Sequence, residues 1–237
     1  MNALSSVSAV LPAFNEEAVI AKVVRRTAQA LSRHVSRFEI IVVDDGSQDQ
    51  TARHAREAVP DALVKVISHH ENRGYGAALR TGFDAAGCEA VLLMDADGQF
   101  NPADVALLVP HYAPDCVVAG RRVNRQDGTL RRWNNRAFFG VVRTLFGPVI
   151  DPNCAFKLFP AEVGRGLRCD GAMISTELLL RAGRSGYRMV QVGVPHHPRR
   201  TGQATGSDPR VVMRAFAELW RLRRDPTLLG TVPSPRG

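Results

Sequence analysis

The chain has 237 residues, of which 45% are hydrophobic and 23% are charged, the composition of an ordinary soluble domain with a sizeable core. Its 31 lysines and arginines against 23 aspartates and glutamates give a net charge of +8, which favours acidic partners such as phosphates or an anionic membrane face. No apolar run approaches the roughly 18 residues of a membrane span, so we expect any membrane contact to be peripheral. The four cysteines form no CxxC pair, which argues against a zinc site and predicts reduced thiols in a cytoplasmic protein.

Short apolar runs alternate with amphipathic stretches through the first half of the chain. Buried strands are predicted at Val7–Phe14, Phe38–Val43, Leu63–Ser68, Ala90–Met94 and Cys116–Ala119. Helices are predicted between them at Glu16–Ser32, Gln50–Ala58, Tyr75–Ala86 and Pro102–Tyr112. Such alternation predicts an α/β domain in which helices cover both faces of a mostly parallel sheet. The ligands of such a sheet gather at the carboxyl ends of its strands.

The second half of the chain has a looser pattern and begins with an arginine-rich stretch. This stretch contains Arg121, Arg122, Arg125, Arg131, Arg132 and Arg136. The elements predicted after it are a helix at Trp133–Phe146, a strand at Cys154–Phe159, a helix at Ile174–Gly183, a strand at Met189–Val194 and a last helix at Arg210–Arg224. The segment 231–237 contains Pro and Gly and is predicted to be disordered.

Two acidic motifs lie at the ends of the first two predicted strands. The first, residues 12–17 (PAFNEE), is compatible with a ligand contact and also with a helix cap at Asn15. The second, residues 42–47 (VVDDGS), is compatible with an Asp that binds a base or ribose and also with an ordinary turn at Gly46. Neither motif is specific by itself.

A third motif, residues 92–99 (LLMDADGQ), is the most informative. Asp95 and Asp97 stand one residue apart at the end of a hydrophobic strand. Two such carboxylates repel each other unless a cation or a network of donors neutralises them. The motif therefore predicts a Mg²⁺ or Mn²⁺ site whose remaining ligands are diphosphate oxygens.

In this order and spacing, the three motifs resemble those of the family-2 glycosyltransferases, which have the GT-A fold. Three further segments resemble the polyprenyl-phosphate mannosyl- and glucosyltransferases of the dolichol-phosphate-mannose synthase type. They are residues 72–78 (NRGYGAA), residues 120–122 as a G-x-R, and residues 151–157 as a D-x-x-x-G-F-K. The likeness covers about residues 7–206. It implies inverting transfer of a sugar from a nucleoside-diphosphate donor, of the GDP-mannose or UDP-glucose type, to a polyprenyl phosphate.

The resemblance also implies a division of the chain and a set of site residues. A single GT-A domain over residues 1–230 would have a nucleotide-sugar half at 7–120, an acceptor half at 121–209 and a C-terminal amphipathic helix at 210–224. The implied nucleoside contacts are Pro12, Phe14, Glu16, Val43 and Asp45. The implied contacts to metal and diphosphate are Asp95, Ala96, Asp97 and Gln99. The implied contacts to phosphate oxygens are Arg122, Arg199 and Arg200.

The chain departs from the family pattern at two elements. The G-F-K element has Ala155 in place of its Gly. The family's R-x-x-G-x-S-K loop reads RRTGQAT at residues 199–205, so its Ser and Lys are missing. We expect Arg200 to replace that Lys, or the acceptor to differ from that of the family.

The identity of the acceptor decides which catalytic residues are needed. A lipid phosphate needs no strong general base, because its second pKa of about 6 leaves it largely ionised at neutral pH. A hydroxyl acceptor would need a carboxylate within hydrogen-bond reach, and the candidates are Asp97, Asp151 and Glu177. The predicted catalytic residues are accordingly Asp97, Arg122 and Glu177. His196 and His197 follow a predicted strand and could reach the diphosphate or an acceptor, but the favoured interpretation is that they are solvated loop histidines.

Three alternative functions remain open from the sequence. One is a glycosyltransferase that acts on a hydroxyl group. Another is a non-catalytic binding module, although a nucleic-acid partner is not expected because only 6% of the chain is aromatic and no reading motif is present. A nucleotidyltransferase is the third, and the chain lacks the Gly-rich loop with Lys that would cradle a triphosphate.

The last predicted helix combines an apolar stripe with arginines. The stripe consists of Val211, Val212, Ala215, Phe216, Leu219 and Leu222. This pattern is explained by packing against the domain or by binding to an anionic membrane surface. We expect a cytoplasmic protein that contacts the cytoplasmic membrane face peripherally, with a separate membrane-anchoring protein as a compatible partner.

Overall fold

A computed structural model of the protein describes residues 4–123, 140–142, 144–146, 150, 152, 154–197 and 209–225, with side chains in the last range at 215 and from 217 onwards. Several predictions fall outside these residues. They concern Asp151, Arg199, Arg200, the arginines from 125 to 136, most of the helix predicted at 133–146, and the segment 231–237. The division into a nucleotide-sugar half and an acceptor half stays a prediction.

Seven strands form one sheet. They are β1 (Ser6–Ala13), β2 (Arg37–Asp44), β3 (Val64–Ser68), β4 (Ala90–Met94), β5 (Cys116–Val123), β6 (Phe156–Pro160) and β7 (Arg188–Pro195). Their order across the sheet is β3-β2-β1-β4-β6-β5-β7. Only β6 among these seven strands runs antiparallel to its neighbours, β4 and β5. The predicted α/β class with a mostly parallel sheet is confirmed.

Helices connect the strands on both faces of the sheet. They are α1 (Ile20–Leu31), α2 (Thr51–Arg56), α3 (Tyr75–Asp84), α4 (Val105–Leu108), α5 (Ile174–Arg184) and α6 (Pro209–Arg223). The helix predicted at Pro102–Tyr112 is interrupted: α4 is flanked by 3₁₀ turns at Pro102–Asp104 and Val109–His111. The second turn contains Pro110, which has no N–H group to continue an α-helix.

The sheet separates two hydrophobic cores. Side chains of β1 alternate between them, since Ala9 and Leu11 belong to the core beneath α1 while Val10 belongs to the core beneath α3. The second core also receives Leu178 of α5 and Leu219 of α6. The C-terminal helix therefore packs on the same face of the sheet as α3.

Close packing of α3 on β1 depends on Gly82. A Cβ atom at this position would lie 2.3 Å from Val10 Cγ1 and 3.3 Å from Val43 Cγ2. Since both contacts are β-branched side chains in a full core, a methyl group could be accommodated only by a shift of the helix. The glycine thus fixes how closely α3 approaches the sheet.

We predict that Gly82→Ala lowers the free energy of unfolding by about 1–3 kcal/mol, the usual cost of overpacking a core. Gly140→Ala is the matched control, because a Cβ atom added to this helical glycine would meet no described neighbour within 4 Å. Ala also favours a helix over Gly by up to about 1 kcal/mol, and this gain applies to both variants because both glycines are helical. Urea unfolding of both variants measures the difference. Equal stability of the two would contradict this packing.

Candidate functional site

The loops that follow β1 and β2 are hydrogen-bonded to each other. The backbone N–H of Asn15 donates to Ser47 Oγ at 2.9 Å, and Asn15 Oδ1 accepts from the N–H of Gln48 at 3.0 Å. Asn15 adopts a left-handed backbone conformation with φ of 54°, and α1 begins only at Ile20. The alternative interpretation of Asn15 as the cap of α1 is therefore wrong, and the first two motifs form one structural unit.

The residues implied to contact a nucleoside differ in how accessible they are. Phe14 is 41% exposed and Pro12 is half-buried, so both side chains border open space at the carboxyl ends of the strands. Glu16 is 6% exposed and Val43 is fully buried. A ligand at this edge of the sheet would therefore meet the side chains of Phe14 and Pro12 directly.

Asp45 is the centre of a buried hydrogen-bond network. Its Oδ1 accepts from His69 Nδ1 at 2.7 Å and from the backbone N–H of Arg73 at 2.9 Å, while Oδ2 accepts from the N–H of Gly74 at 2.8 Å. His69 Nε2 lies 2.9 Å from Thr81 Oγ1. Since Asp45 is only 4% exposed, its main observed contacts are with the segment that leads into α3.

Asp95 and Asp97 follow β4, and both are half-buried. The Tyr75 hydroxyl donates to Asp95 Oδ1 at 3.1 Å, and the backbone N–H of Gln99 donates to Asp97 Oδ1 at 3.0 Å. Burial, followed by repulsion from Asp97, raises the pKa of Asp95 to about 7, and nearby positive charges only partly oppose this shift. The site is therefore short of positive charge when both carboxylates are ionised.

Lys157 is one of those positive charges. In the sequence it stands out only as the last residue of the D-x-x-x-G-F-K element. It is fully buried on β6, opposite Leu93 of β4. Its ammonium group donates to the carbonyl oxygens of Pro152, at 3.0 Å, and Cys154. The A-F-K element thus places a buried cation where it lowers the pKa of Asp95.

Arg122 is the second positive charge that lowers the pKa of Asp95. It lies near the carboxyl end of β5 and is half-buried. Within the part of the chain that the structure describes, its buried Nε has no hydrogen-bond acceptor. An anionic ligand beside Asp95 would supply the missing acceptor.

Gln99 connects the acidic motif to the end of β7. Its Nε2 donates to the carbonyl oxygen of His197 at 3.1 Å, and the N–H of His197 donates to the carbonyl oxygen of Gln99 at 2.9 Å. The ring of the next residue, Phe100, stacks on Phe156 with the centroids 5.3 Å apart and makes a T-shaped contact with His196 at a centroid distance of 5.1 Å. Since the amide nitrogen of Gln99 bonds to the main chain, any metal contact would be through the amide oxygen.

The Glu177 carboxylate is bonded to groups of the protein itself. It is fully buried, its Oε2 accepts from the backbone N–H groups of Arg168 and Cys169 at 2.9 and 2.8 Å, and its Oε1 accepts from Arg181 Nε at 2.8 Å. Arg181 also pairs with Asp225 at 2.9 Å. A carboxylate with these contacts is not placed to take a proton from a substrate, so the geometry argues against Glu177 as a base.

A cavity of about 450 Å³ lies between α1 and the acidic motif. Its walls include Lys22 and Arg26 of α1, together with Asp97, Phe100 and His197. Val23 and Phe100 belong to the core beneath α1, whereas α6 belongs to the opposite core. The cavity and the C-terminal helix thus lie on opposite faces of the sheet.

The donor set fits a hard divalent cation that is completed by a ligand. No cluster of three or more His, Cys, Asp or Glu side chains with metal-binding geometry occurs in the described ranges. Mg²⁺ is commonly bound by one or two carboxylates plus substrate phosphates, and Asp95 and Asp97 provide such a pair.

Among the described helices, none is long and apolar enough to cross a membrane.

Among curated proteins, several relatives of this chain have the same name as one another. The undecaprenyl-phosphate 4-deoxy-4-formamido-L-arabinose transferase of Pseudomonas fluorescens is 32% identical over 215 residues, which are 89% of this chain and 62% of that protein. The transferase of the same name from Pectobacterium atrosepticum is 29% identical over 243 residues, which are 99% of this chain and 74% of that protein. The chain thus spans about two thirds of the length of these relatives.

Comparison with solved structures confirms the GT-A fold. Glucosyl-3-phosphoglycerate synthase from Mycobacterium tuberculosis, in complex with phosphoglyceric acid, superposes with a TM-score of 0.71 at 23% identity, over 92% of this chain and 80% of that one. Its complex with Mn²⁺ and UDP-glucose gives the same TM-score at 22% identity, with 92% and 78% covered. The model of the family described as glycosyl transferase family 2 matches residues 8–165. The chain belongs to glycosyl transferase family 2.

Proposed function

We propose that the protein transfers a sugar from a nucleoside-diphosphate donor, of the GDP-mannose or UDP-glucose type, to a polyprenyl phosphate in a reaction that depends on a divalent metal. The observation that carries this proposal is the partly buried Asp95–Asp97 pair beside Arg122, a site that can hold a cation and phosphate oxygens together. The names of the relatives, which are undecaprenyl-phosphate sugar transferases, support the choice of acceptor.

On the donor side, Asp95 and Asp97 would hold the metal and the diphosphate, with Gln99 as a further contact. When bound, Mg²⁺ or Mn²⁺ would neutralise the charge that develops on the departing diphosphate. The exposed ring of Phe14 would pack against the nucleoside. Asp45 would act on the nucleoside mainly through the segment that it holds, because its oxygens already bond to His69 and to the main chain.

On the acceptor side, a phosphate oxygen would form a bond to the anomeric carbon while the bond from that carbon to the diphosphate breaks, with inversion. No proton has to be removed from an ionised phosphate, so this reaction needs positive charge and no base. The half-buried Arg122 offers that charge, and the buried contacts of Glu177 give no support to a base for a hydroxyl acceptor. Arg199 and Arg200 are proposed as further phosphate contacts.

The acceptor assignment is tested with undecaprenyl phosphate and undecaprenol, which differ only in the phosphate group. Purified protein, Mn²⁺ and a panel of nucleotide sugars should give glycolipid and released nucleoside diphosphate with the phosphate only. Arg122→Ala should lower kcat/KM about 100-fold, which is the typical effect of removing one charge-stabilising group. The control is Arg121→Ala, which changes the exposed neighbouring residue and should leave kcat/KM near that of the wild type. Transfer to undecaprenol would contradict the proposed acceptor.

The metal assignment predicts that Asp97→Asn, which keeps the shape of the side chain, lowers turnover at least about 100-fold and weakens Mn²⁺ binding. Asp115→Asn is the control, since this carboxylate is exposed and pairs only with Arg188 among the described residues. Titration of Mn²⁺ followed by electron paramagnetic resonance measures binding without turnover. Full activity after exhaustive treatment with EDTA would exclude metal dependence.

For the nucleoside side, we predict that Asp45→Ala weakens donor binding about 10- to 150-fold, the range for a hydrogen bond that involves a charged group. Glu39→Ala is the matched control, because Glu39 lies near the other end of β2 and also accepts a backbone N–H, that of Gly87 at 2.7 Å. Calorimetry measures donor affinity, and hydrogen exchange at residues 69–74 should accelerate only in Asp45→Ala. Unchanged donor affinity in that variant would show that the segment held by Asp45 does not contribute to nucleoside binding.

A further inference from the structure

Tyr75 is an exposed aromatic residue at the first position of α3, and the family resemblance gives its side chain no role. Its hydroxyl donates to Asp95 Oδ1 at 3.1 Å, although 36% of the residue remains exposed. The bond from this hydroxyl can orient the carboxylate only if the tyrosine ring is itself held in place, because ordering a free side chain costs entropy. The neighbourhood of α3 shows what holds it.

The start of α3 is fixed on one side by the residue before Tyr75. Gly74 has φ of 100°, a conformation that favours glycine, and its N–H donates to Asp45 Oδ2 at 2.8 Å. The chain therefore enters α3 from a point that is anchored to the end of β2. The backbone of Tyr75 is thus set by a buried carboxylate.

Residues 168–173 fix the start of α3 on the other side. The N–H of Ala77 donates to the carbonyl oxygen of Asp170 at 3.2 Å, and Arg80 pairs with the Asp170 carboxylate at 2.7 Å. A Cβ atom at Gly76 would lie 2.4 Å from the Asp170 carbonyl carbon, so the two backbones are in direct contact. Tyr75 thus begins a helix whose first turn cannot shift without moving this segment.

Two buried carboxylates hold residues 168–173 in turn. Glu218 of α6 is 4% exposed and accepts from the N–H groups of Asp170 and Gly171 at 3.0 and 2.7 Å. Glu177 of α5 accepts from the N–H groups of Arg168 and Cys169. The position of Tyr75 is therefore determined by α5, α6 and β2 together.

We propose that Tyr75 is a positioning residue for Asp95: its hydroxyl holds one carboxylate oxygen so that the other is oriented toward the divalent cation. This inference rests on the metal site of the proposed function. A hydrogen bond to a metal-binding carboxylate reduces the orientations that the ligand must give up on binding, and loss of such a partner typically costs about 10- to 100-fold in metal affinity or activity. Asp97 has an equivalent restraint within its own loop, the N–H of Gln99.

The chain provides a matched pair of variants for the test. Tyr75→Phe removes only the hydroxyl group that bonds to Asp95. Tyr187→Phe removes a hydroxyl group of the same kind, which donates at 2.8 Å to Glu162, a residue outside the metal motif. Both substitutions keep the ring, so any general effect of losing a hydrogen-bonded tyrosine hydroxyl appears in both variants.

The experiment measures the Kd of Mn²⁺ by electron paramagnetic resonance on the full chain without donor, beside the thermal midpoint of each variant. Tyr75→Phe should raise the Kd about tenfold with a thermal midpoint close to that of Tyr187→Phe, whose Kd should equal that of wild type. An unchanged Kd in Tyr75→Phe, while Asp97→Asn loses binding, would overturn the role of Tyr75 and leave the metal site standing. If wild type and Asp97→Asn bind Mn²⁺ equally, the metal site of the proposed function is wrong and this inference falls with it.

Discussion

The arrangement of the site depends on buried carboxylates that accept backbone N–H groups. Asp45 fixes the N–H groups of Arg73 and Gly74, and Glu218 fixes those of Asp170 and Gly171. A loop cannot satisfy its own N–H groups as a helix or strand does, and leaving them unpaired away from water is costly. Acidic side chains supplied by neighbouring elements solve this problem, and they also determine where α3 begins.

The two carboxylates of the acidic motif stand apart from this group. Asp95 accepts one bond from a tyrosine hydroxyl and Asp97 one from a backbone N–H, and both remain partly open. Burial, followed by repulsion from Asp97, raises the pKa of Asp95 to about 7, because these few donors do not compensate the negative charge. Carboxylates that a fold leaves undersupplied with donors are the ones suited to a ligand cation.

The sequence predicts all seven strands of the sheet from short apolar runs between turn residues, although β5 continues to Val123, beyond its predicted end at Ala119. The predicted strand Ala90–Met94 has the bounds that the structure shows, since all five residues are buried. The helix at 102–112 is predicted as continuous, because the spacing of apolar residues does not distinguish an α-helix from the 3₁₀ turns on either side of α4. The prediction that the acidic motif belongs to a nucleotide-sugar site comes from the resemblance and not from periodicity.

Side-chain roles that depend on distant segments could not be predicted from the sequence. Tyr75 and Asp95 are 20 residues apart, and nothing in either motif indicates their contact. Glu177 is a candidate base by sequence because a lone Glu near a helix start is compatible with a dipole effect or with a substrate pocket. Its two backbone donors lie 8 and 9 residues upstream in a loop whose path the sequence does not reveal.

The distribution of acids and bases bears on the class of acceptor. Transfer to a hydroxyl group requires a carboxylate that is open to the substrate and not already bonded to donors. In the ranges that the structure describes, Glu177 fails this condition, and Asp97 is also needed for the metal in the proposed site. Arg122, by contrast, presents a buried Nε without an acceptor there. A site whose described residues offer positive charge and no spare base is suited to an acceptor that is already ionised, and a polyprenyl phosphate has that property.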